Sequence, residues 1–327
     1  MVERVAMASG VDVAQPSSEA TRTLVTLDEI RAAALRIRNV ARRTPLLDVG
    51  TLGLKCENFQ PSGAFKIRGA CNMLSQLPPD ARTAGVITYS SGNHGLAVAL
   101  VAQALGITAV IVMPETAARV KVEAVRRFGA ELIMAGTTSA HRKARAEDEA
   151  ARRGLTIVPP FDHRWIIAGA GTVGLEILEQ SPHVTAIFVP MGGGGQIAGV
   201  SAAVKGMRTG VRIIGVEPVG AARMSASLAE QRPVTLEQSS SVADGLLTLR
   251  PGDLTFAHVQ AFVDQVVTVE DRAMIAAVKW LFHEARLVAE PSGAAAVAAA
   301  LAAKDAGVVA VVSGGNVDPA AYATYIA

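Results

Sequence analysis

The chain has 327 residues, half of them hydrophobic and 18% charged, with a formal net charge of +2. That size and composition suit a packed α/β protein with a large core and exclude a disordered or fibrous chain. The near-neutral balance gives no footing for nucleic acid or a charged membrane surface, and two cysteines, Cys56 and Cys71, are too few for a disulfide framework or a zinc site.

Residues 1–25 lack an apolar core with a cleavage site and read as a flexible leader, without a signal peptide. Every long apolar run contains Gly, Pro or charge, so no membrane span is expected. Low cysteine usage makes a reducing cytoplasm the expected compartment. Thr26 with Glu29 forms a capping box for a helix carrying Ile30, Ala34, Ile37 and Ala41 on one face. Thr44-Pro45-Leu46-Leu47 reads as extended. Lys66 follows a Ser-Gly turn and opens a helix with Ile67, Ala70, Leu74 and Leu77 on one face.

Strands and helices then alternate. Strands are expected at Val86–Tyr89, Ala109–Met113, Glu131–Met134, Leu155–Val158, Thr185–Val189, Val211–Val216, Val266–Val269 and Val308–Val312. Helices fill the gaps, one of them over Leu96–Leu105 and another capped by Thr116 and carrying Val120, Val122 and Val125. This alternation predicts parallel sheets covered by helices, with binding loops at the carboxyl ends of the strands.

Four motifs carry the chemistry, and three of them fall at such places. A lysine on an ordered helix start among apolar neighbours can lose its proton and act as a nucleophile, which makes Lys66 a candidate for a Schiff base with a carbonyl cofactor. Ser90-Ser91-Gly92-Asn93-His94-Gly95 joins a strand to a helix, and its amides and hydroxyls suit a carboxylate. Met191-Gly192-Gly193-Gly194-Gly195-Gln196 follows an apolar strand, and four glycines leave backbone amides free to close around an anion. This loop does not match G-x-x-x-x-G-K-[ST], which disfavours an NTPase, and no clean G-x-G-x-x-G supports a dinucleotide-binding dehydrogenase. Val311-Val312-Ser313-Gly314-Gly315-Asn316 ends the last strand.

The run Lys55 to Ala70 resembles K-x-E-x-x-Q-x-[ST]-G-[SA]-F-K-x-R-G-A, the signature of the threonine/serine dehydratase and serine racemase family. Those are fold-type II enzymes dependent on pyridoxal 5'-phosphate. The resemblance runs from about Thr44 to Asn316, through Phe161-Asp162, Ala168 to Thr172, Gly215 to Pro218, Ala243-Asp244-Gly245 and Glu290 to Ala294. It implies a tryptophan synthase β-like α/β fold with two parallel-sheet lobes and the site between them. The large lobe would comprise 26–83 and 156–327, and a small mobile lobe 84–155.

By the resemblance, Lys66 is the Schiff-base lysine and Asn93 bonds the cofactor's phenolic oxygen. Gly192, Gly193, Gly194 and Gly195 hold its phosphate, and Ser313 meets the pyridine nitrogen. Ser90, Ser91, Gly92, Asn93 and His94 hold the substrate carboxylate. The implied activity is elimination of a 3-hydroxy amino acid, L-threonine or L-serine, to a 2-oxo acid and ammonia, by a homodimer. Ser91 stands where the racemase branch places a catalytic acid/base and so keeps amino-acid racemisation open; as helix cap it would be structural. A non-catalytic protein binding the cofactor or an amino acid is the reading from another class.

Several departures stand out. The segment between Pro45-Leu46 and Lys55 is short. Leu96 and Ala170 replace residues that are commonly Gln, which predicts a more apolar substrate pocket. Racemases of the family also carry a divalent-cation site, for which Glu217 and the Ala221 carbonyl are the candidates here. Arg223 stands where a second carboxylate is expected, and its charge opposes a cation. No regulatory domain is expected after the core.

Overall fold

A computed structural model of the chain describes residues 9–13, 24–90, 92–117, 119–303 and 306–327. Eleven strands among them are β1 (Ser9–Asp12), β2 (Leu46–Val49), β3 (Leu52–Cys56), β4 (Val86–Tyr89), β5 (Ala109–Met113), β6 (Glu131–Met134), β7 (Thr156–Ile157), β8 (Ala186–Pro190), β9 (Arg212–Pro218), β10 (Gln265–Val269) and β11 (Val308–Val312). The helices are α1 (Leu27–Ile37), α2 (Lys66–Leu74), α3 (Pro79–Ala84), α4 (Asn93–Leu105), α5 (Arg119–Arg127), α6 (Ser139–Arg153) and α7 (Arg164–Gln180). They continue with α8 (Gly195–Met207), α9 (Arg223–Ala229), α10 (Asp253–Phe262), α11 (Asp271–His283), α12 (Pro291–Ala302) and α13 (Pro319–Ile326).

The strands make two sheets. One has seven strands in the order β1-β10-β9-β8-β11-β3-β2, parallel from β10 to β3 with an antiparallel strand at each edge. The other has four parallel strands in the order β6-β5-β4-β7, all lying between Val86 and Ile157. Strands β5, β8 and β11 are buried along their whole length, as expected of parallel sheets covered on both faces. Ala-rich α12 packs on one face of the larger sheet with α11. The other face holds Val173, Ile177, Ile197 and Val200 from α7 and α8.

Each sheet has one place where the strand order reverses. From β8 the chain runs through α8 to β9 on one side, while β11 pairs on the other. From β4 it runs to β5 on one side, while β7 returns on the other. Such reversals leave a crevice at the carboxyl ends of the strands. The glycine loop and Ser313 leave β8 and β11, and the Ser90–Gly95 loop leaves β4.

The capping box forms as expected: Thr26 Oγ1 accepts from the Glu29 amide, and Glu29 accepts from the Thr26 amide. Helix α1 buries Ile30, Ala33 and Ile37 and ends before Ala41. Helix α5 begins at Arg119, so Thr116, expected as its cap, stands in the preceding turn. The short segment after Pro45 is a hairpin of β2 and β3, turned through Gly50 at φ +71°.

Of the leader expected over 1–25, residues 9–13, 24 and 25 are described and the rest lie outside the described residues; the described part holds a strand. β1 pairs antiparallel with β10, from Ser9 against Thr268 to Asp12 against Gln265. The outer edge of β10 offers unpaired N–H and C=O groups, and these recruit a segment whose sequence carries almost no hydrophobic period. Leu24 and Val25 are buried as well, and the Val25 amide donates to His258 Nε2.

Candidate active site

Lys66 is the first residue of α2, and its position is fixed from both sides. Before it, the Phe65 amide donates to the Ser313 carbonyl, Gly315 N donates to Gly63 O, and Ala64 bridges Gly314. Gly63 adopts φ +71°, which a side chain disfavours. After it, α2 presses on α7 so closely that a Cβ on Gly169 would lie 2.4 Å from the Arg68 carbonyl. The turn carrying Lys66 is thereby tied to the end of β11.

The Lys66 amine donates to the Pro160 carbonyl at 2.6 Å, just beyond β7. Burial, with no carboxylate to offset it, brings its pKa down to about 8. The His94 ring lies nearby in the first turn of α4, buried, its Nε2 3.1 Å from the Val158 carbonyl. Burial and the Lys66 charge bring its pKa down to about 3, so it is neutral. Its Nδ1 has no hydrogen-bond partner among the described residues.

The signature around Lys66 folds into a buried ionic cluster. Arg68 Nε and Nη2 each donate at 2.7 Å to the Glu57 carboxylate, and Nη1 donates to Glu176 at 2.7 Å. Lys55 Nζ donates to Glu176 at 2.5 Å and to Gln180 at 2.9 Å. Thr44 Oγ1 donates to Glu57, and Gln60 Nε2 to both Glu57 and the Arg42 carbonyl. Burial works against each charge. Even so, Arg68 outweighs it at Glu57 and holds that acid below its ordinary pKa. Glu57 and Glu176 in turn hold Arg68 above its own. At Lys55 burial prevails and lowers the pKa.

The Ser90–Gly95 loop ends β4. Ser90 Oγ accepts from the Gly92 amide at 3.1 Å, and α4 starts at Asn93 with its first amides unpaired inside the helix. Ser91 lies outside the described residues. Asn93 Oδ1 accepts from Asn316 Nδ2 at 2.9 Å, and Asn316 also donates to the Ser62 carbonyl. Asn93 Nδ2 donates to Glu290 Oε1 at 2.5 Å. Glu290 is 3% exposed, and burial together with the Asp244 charge pushes its pKa up to about 8. Ser313 is buried at the end of β11.

The glycine loop is built to stay bare. A Cβ on Gly193 would lie 2.4 Å from the Phe161 ring, and Gly194 adopts φ +96°. The Gly193 carbonyl accepts from Thr255 Oγ1 at 2.6 Å. Asp162 caps α10 by accepting from the amides of Asp253, Leu254 and Thr255. Backbone approach without side chains at a helix N-terminus suits a phosphate, and the residues present therefore fit pyridoxal phosphate.

Lys121 of α5 pairs with Asp244 and lies over Gly92, where a Cβ would be 3.6 Å from its Nζ. It shares a cavity of about 110 Å³ with Leu96, Ala124, Asn316 and Val317. Leu96 thus lines an apolar wall beside the Asn93 loop. Ala170, expected to alter the same pocket, is buried in α7 and does not line that cavity. Two participants carry no role that the sequence assigns to them. Glu290 before a proline reads as an ordinary helix start, and its burial has no local signal. Lys121 lies on a charged helix whose nearness to the site is set only by the sheet order.

A family model described as pyridoxal-phosphate dependent enzyme matches residues 37–314. The L-threonine ammonia-lyase of Thermotoga maritima is 40% identical over 306 residues, covering 90% of this chain and 76% of that protein. The serine racemase of Schizosaccharomyces pombe is 38% identical over 317 residues, covering 93% of this chain and 98% of that one. The structure of the processed form of threonine deaminase isoform 2 from Solanum lycopersicum superposes with a TM-score of 0.90 at 35% identity, covering 99% of this chain and 98% of that one.

Proposed function

The chain belongs to the pyridoxal-phosphate dependent enzymes, with a fold of type II, and on that premise we propose that it is an ammonia-lyase acting on L-threonine, L-serine or a related 3-hydroxy amino acid. The observation that carries this reading is the Lys66 amine, buried without a carboxylate and brought to a pKa of about 8. When bound, pyridoxal phosphate withdraws electrons from the substrate's α-carbon. Lys66 would hold the cofactor through its amine and, once the substrate's amino group has displaced it, would take the α-proton. The β-hydroxyl leaves with a proton as water, and the unsaturated amine left behind is hydrolysed to a 2-oxo acid and ammonia.

The amides at the start of α4 and the Ser90 hydroxyl orient the substrate carboxylate. Asn93, held by Asn316 and Glu290, would bond the cofactor's phenolic oxygen. Gly192 to Gly195 receive the phosphate. Ser313 would meet the ring nitrogen with a hydroxyl, which would leave that nitrogen largely unprotonated and favour rapid expulsion of a β-substituent. The lobe expected over 84–155, its sheet completed by β7 at Thr156–Ile157, acts as a smaller lobe that closes on the site. Two buried free cysteines support a reducing cytoplasm. A homodimer is the assembly that this reading carries with it. Among the described residues no helix is long and apolar enough to cross a membrane.

A second reading is amino-acid racemisation, favoured by the similarity to the yeast racemase along nearly its full length. Ser91 would be its acid/base. One assay tests both. Protein loaded with pyridoxal phosphate is given L- and D-serine, L-threonine and bulkier 3-hydroxy amino acids, and 2-oxo acid and enantiomer are scored together. Oxo acid without enantiomer is the expected result. Enantiomer as the main product makes the racemase reading correct, and neither product overturns both.

A further inference from the structure

Glu217 and Ala221 do not form a cation site, because the chain supplies the positive charge itself. Arg223 opens α9 with its side chain fully buried. Its Nη1 donates to the Met191 carbonyl at 3.1 Å and to the Gly192 carbonyl at 2.8 Å. Its Nη2 donates to the Leu246 carbonyl at 2.6 Å and to the Ala221 carbonyl. Both oxygens of Glu217 are taken by the start of α9. Oε2 accepts from the Met224 amide at 3.0 Å, and Oε1 accepts from the Ser225 amide at 2.8 Å and its hydroxyl at 2.7 Å. Among the described residues no group of three or more His, Cys, Asp or Glu could hold a metal ion.

Four carbonyls from three separate turns converging on one positive charge is the arrangement a hard divalent cation demands. A guanidinium meets the same oxygens with a planar fork of donors, never loses its charge, and does not exchange with solution. We propose that the Arg223 guanidinium takes the place of a divalent cation in this chain, fixing the loop that receives the cofactor phosphate so that cofactor binding is independent of Mg²⁺ or Ca²⁺. The proposal rests on the assignment of Gly192–Gly195 to the phosphate.

Peptide planarity gives the mechanism. In a trans peptide the N–H points opposite to the preceding C=O. Drawing the carbonyls of Met191 and Gly192 toward Arg223 therefore turns the amides of Gly192 and Gly193 away from it. Thr255 does the same for the Gly194 amide through the Gly193 carbonyl. Arg223 is a positioning residue, acting on the phosphate seat through the carbonyls behind it.

The test compares pyridoxal phosphate with pyridoxal, which lacks the phosphate, binding to protein stripped of cofactor. Each titration is run in EDTA and in millimolar Mg²⁺ or Ca²⁺, with the melting temperature of the loaded protein recorded alongside. The wild type is expected to prefer pyridoxal phosphate strongly, and neither its affinity nor its melting should respond to the ions. Arg223→Lys and Arg223→Met should weaken pyridoxal phosphate by about 10- to 100-fold and leave pyridoxal unchanged. Arg223→Asp should gain what the parent lacks, melting higher and binding the cofactor more tightly when the ions are added.

A wild-type response to Mg²⁺ or Ca²⁺ overturns the proposal even if no variant folds. So does a folded Arg223→Met that keeps the full preference for the phosphate. Equal binding of pyridoxal and pyridoxal phosphate by the wild type overturns the phosphate assignment itself, and the proposal with it.

Discussion

Asn93 at the start of α4 and Glu290 before α12 are joined by a hydrogen bond of 2.5 Å, the amide donating to Oε1 of the acid. The contact ties the end of the four-stranded sheet to the end of the larger one. Burial and Asp244 push the Glu290 pKa up to about 8, so at neutral pH the acid keeps its proton. A folded-state pKa raised above the ordinary 4.5 means the native state binds more protons than the unfolded one between those values. Stability is then complete below the lower value and is lost as pH rises through the upper one, by about 1.4 kcal/mol per pH unit at most. Glu290→Gln keeps a neutral group of the same shape and removes this slope. Melting of cofactor-free protein from acid to mild alkali should show the variant gaining on the parent as pH rises. Parallel curves would mean that Glu290 ionises normally.

The second prediction concerns the lysine itself. Its lowered pKa of about 8 means that the reactive free amine appears well below the pH at which an exposed lysine loses its proton. Recombination of cofactor-free protein with pyridoxal phosphate should therefore accelerate with pH and level off just above 8. His94, neutral throughout this range, adds no second step. Stopped-flow absorbance reads the rate. A midpoint above 10 would show that the amine is solvated, and Lys66→Ala should abolish the visible band without unfolding the protein.

How much of this was legible in the sequence depends on whether a feature is local. Strands β4, β5 and β11 begin and end where their apolar runs do, because a strand buried on both faces has no other way to be written. Strand β1 was not legible, since Ser9-Gly10-Val11-Asp12 folds only against an edge supplied by residues 265–268. The signature named Lys55, Glu57, Gln60 and Arg68 together. Their reason for being together is Glu176, more than a hundred residues later. Leu96 and Ala170 looked alike as losses of a polar group, and only the fold separates a residue on the cavity wall from one inside α7.

That ionic cluster carries the third prediction. Arg68 is 1% exposed and Glu57 wholly buried, so removing either leaves an uncompensated charge in the core. Arg68→Ala should destabilise the protein by about 3–5 kcal/mol. Arg68→Lys should recover only part of this, because one ammonium cannot serve Glu57, Glu176 and the Arg42 carbonyl at once. Urea unfolding measures both. A loss under about 1 kcal/mol for Arg68→Ala would show that the cluster contributes no more than a surface ion pair.

The Lys121–Asp244 pair asks for a different readout. Its side chains are 23% and 50% exposed, so solvent screening leaves it little weight in stability. Its position, however, spans from α5 beside the smaller sheet to the turn at Asp244–Leu246, across Gly92 and Asn93. A pair so placed biases closure of the site and hardly affects folding. Lys121→Met and Asp244→Asn should therefore leave the urea midpoint almost unchanged, while KM for the amino acid rises several-fold. Raising the ionic strength should weaken the wild type toward the variants, because screening acts on an exposed pair. The double variant should be no worse than either single one. If the two effects instead add, the side chains act separately on the substrate, and the ion pair does not hold the site closed.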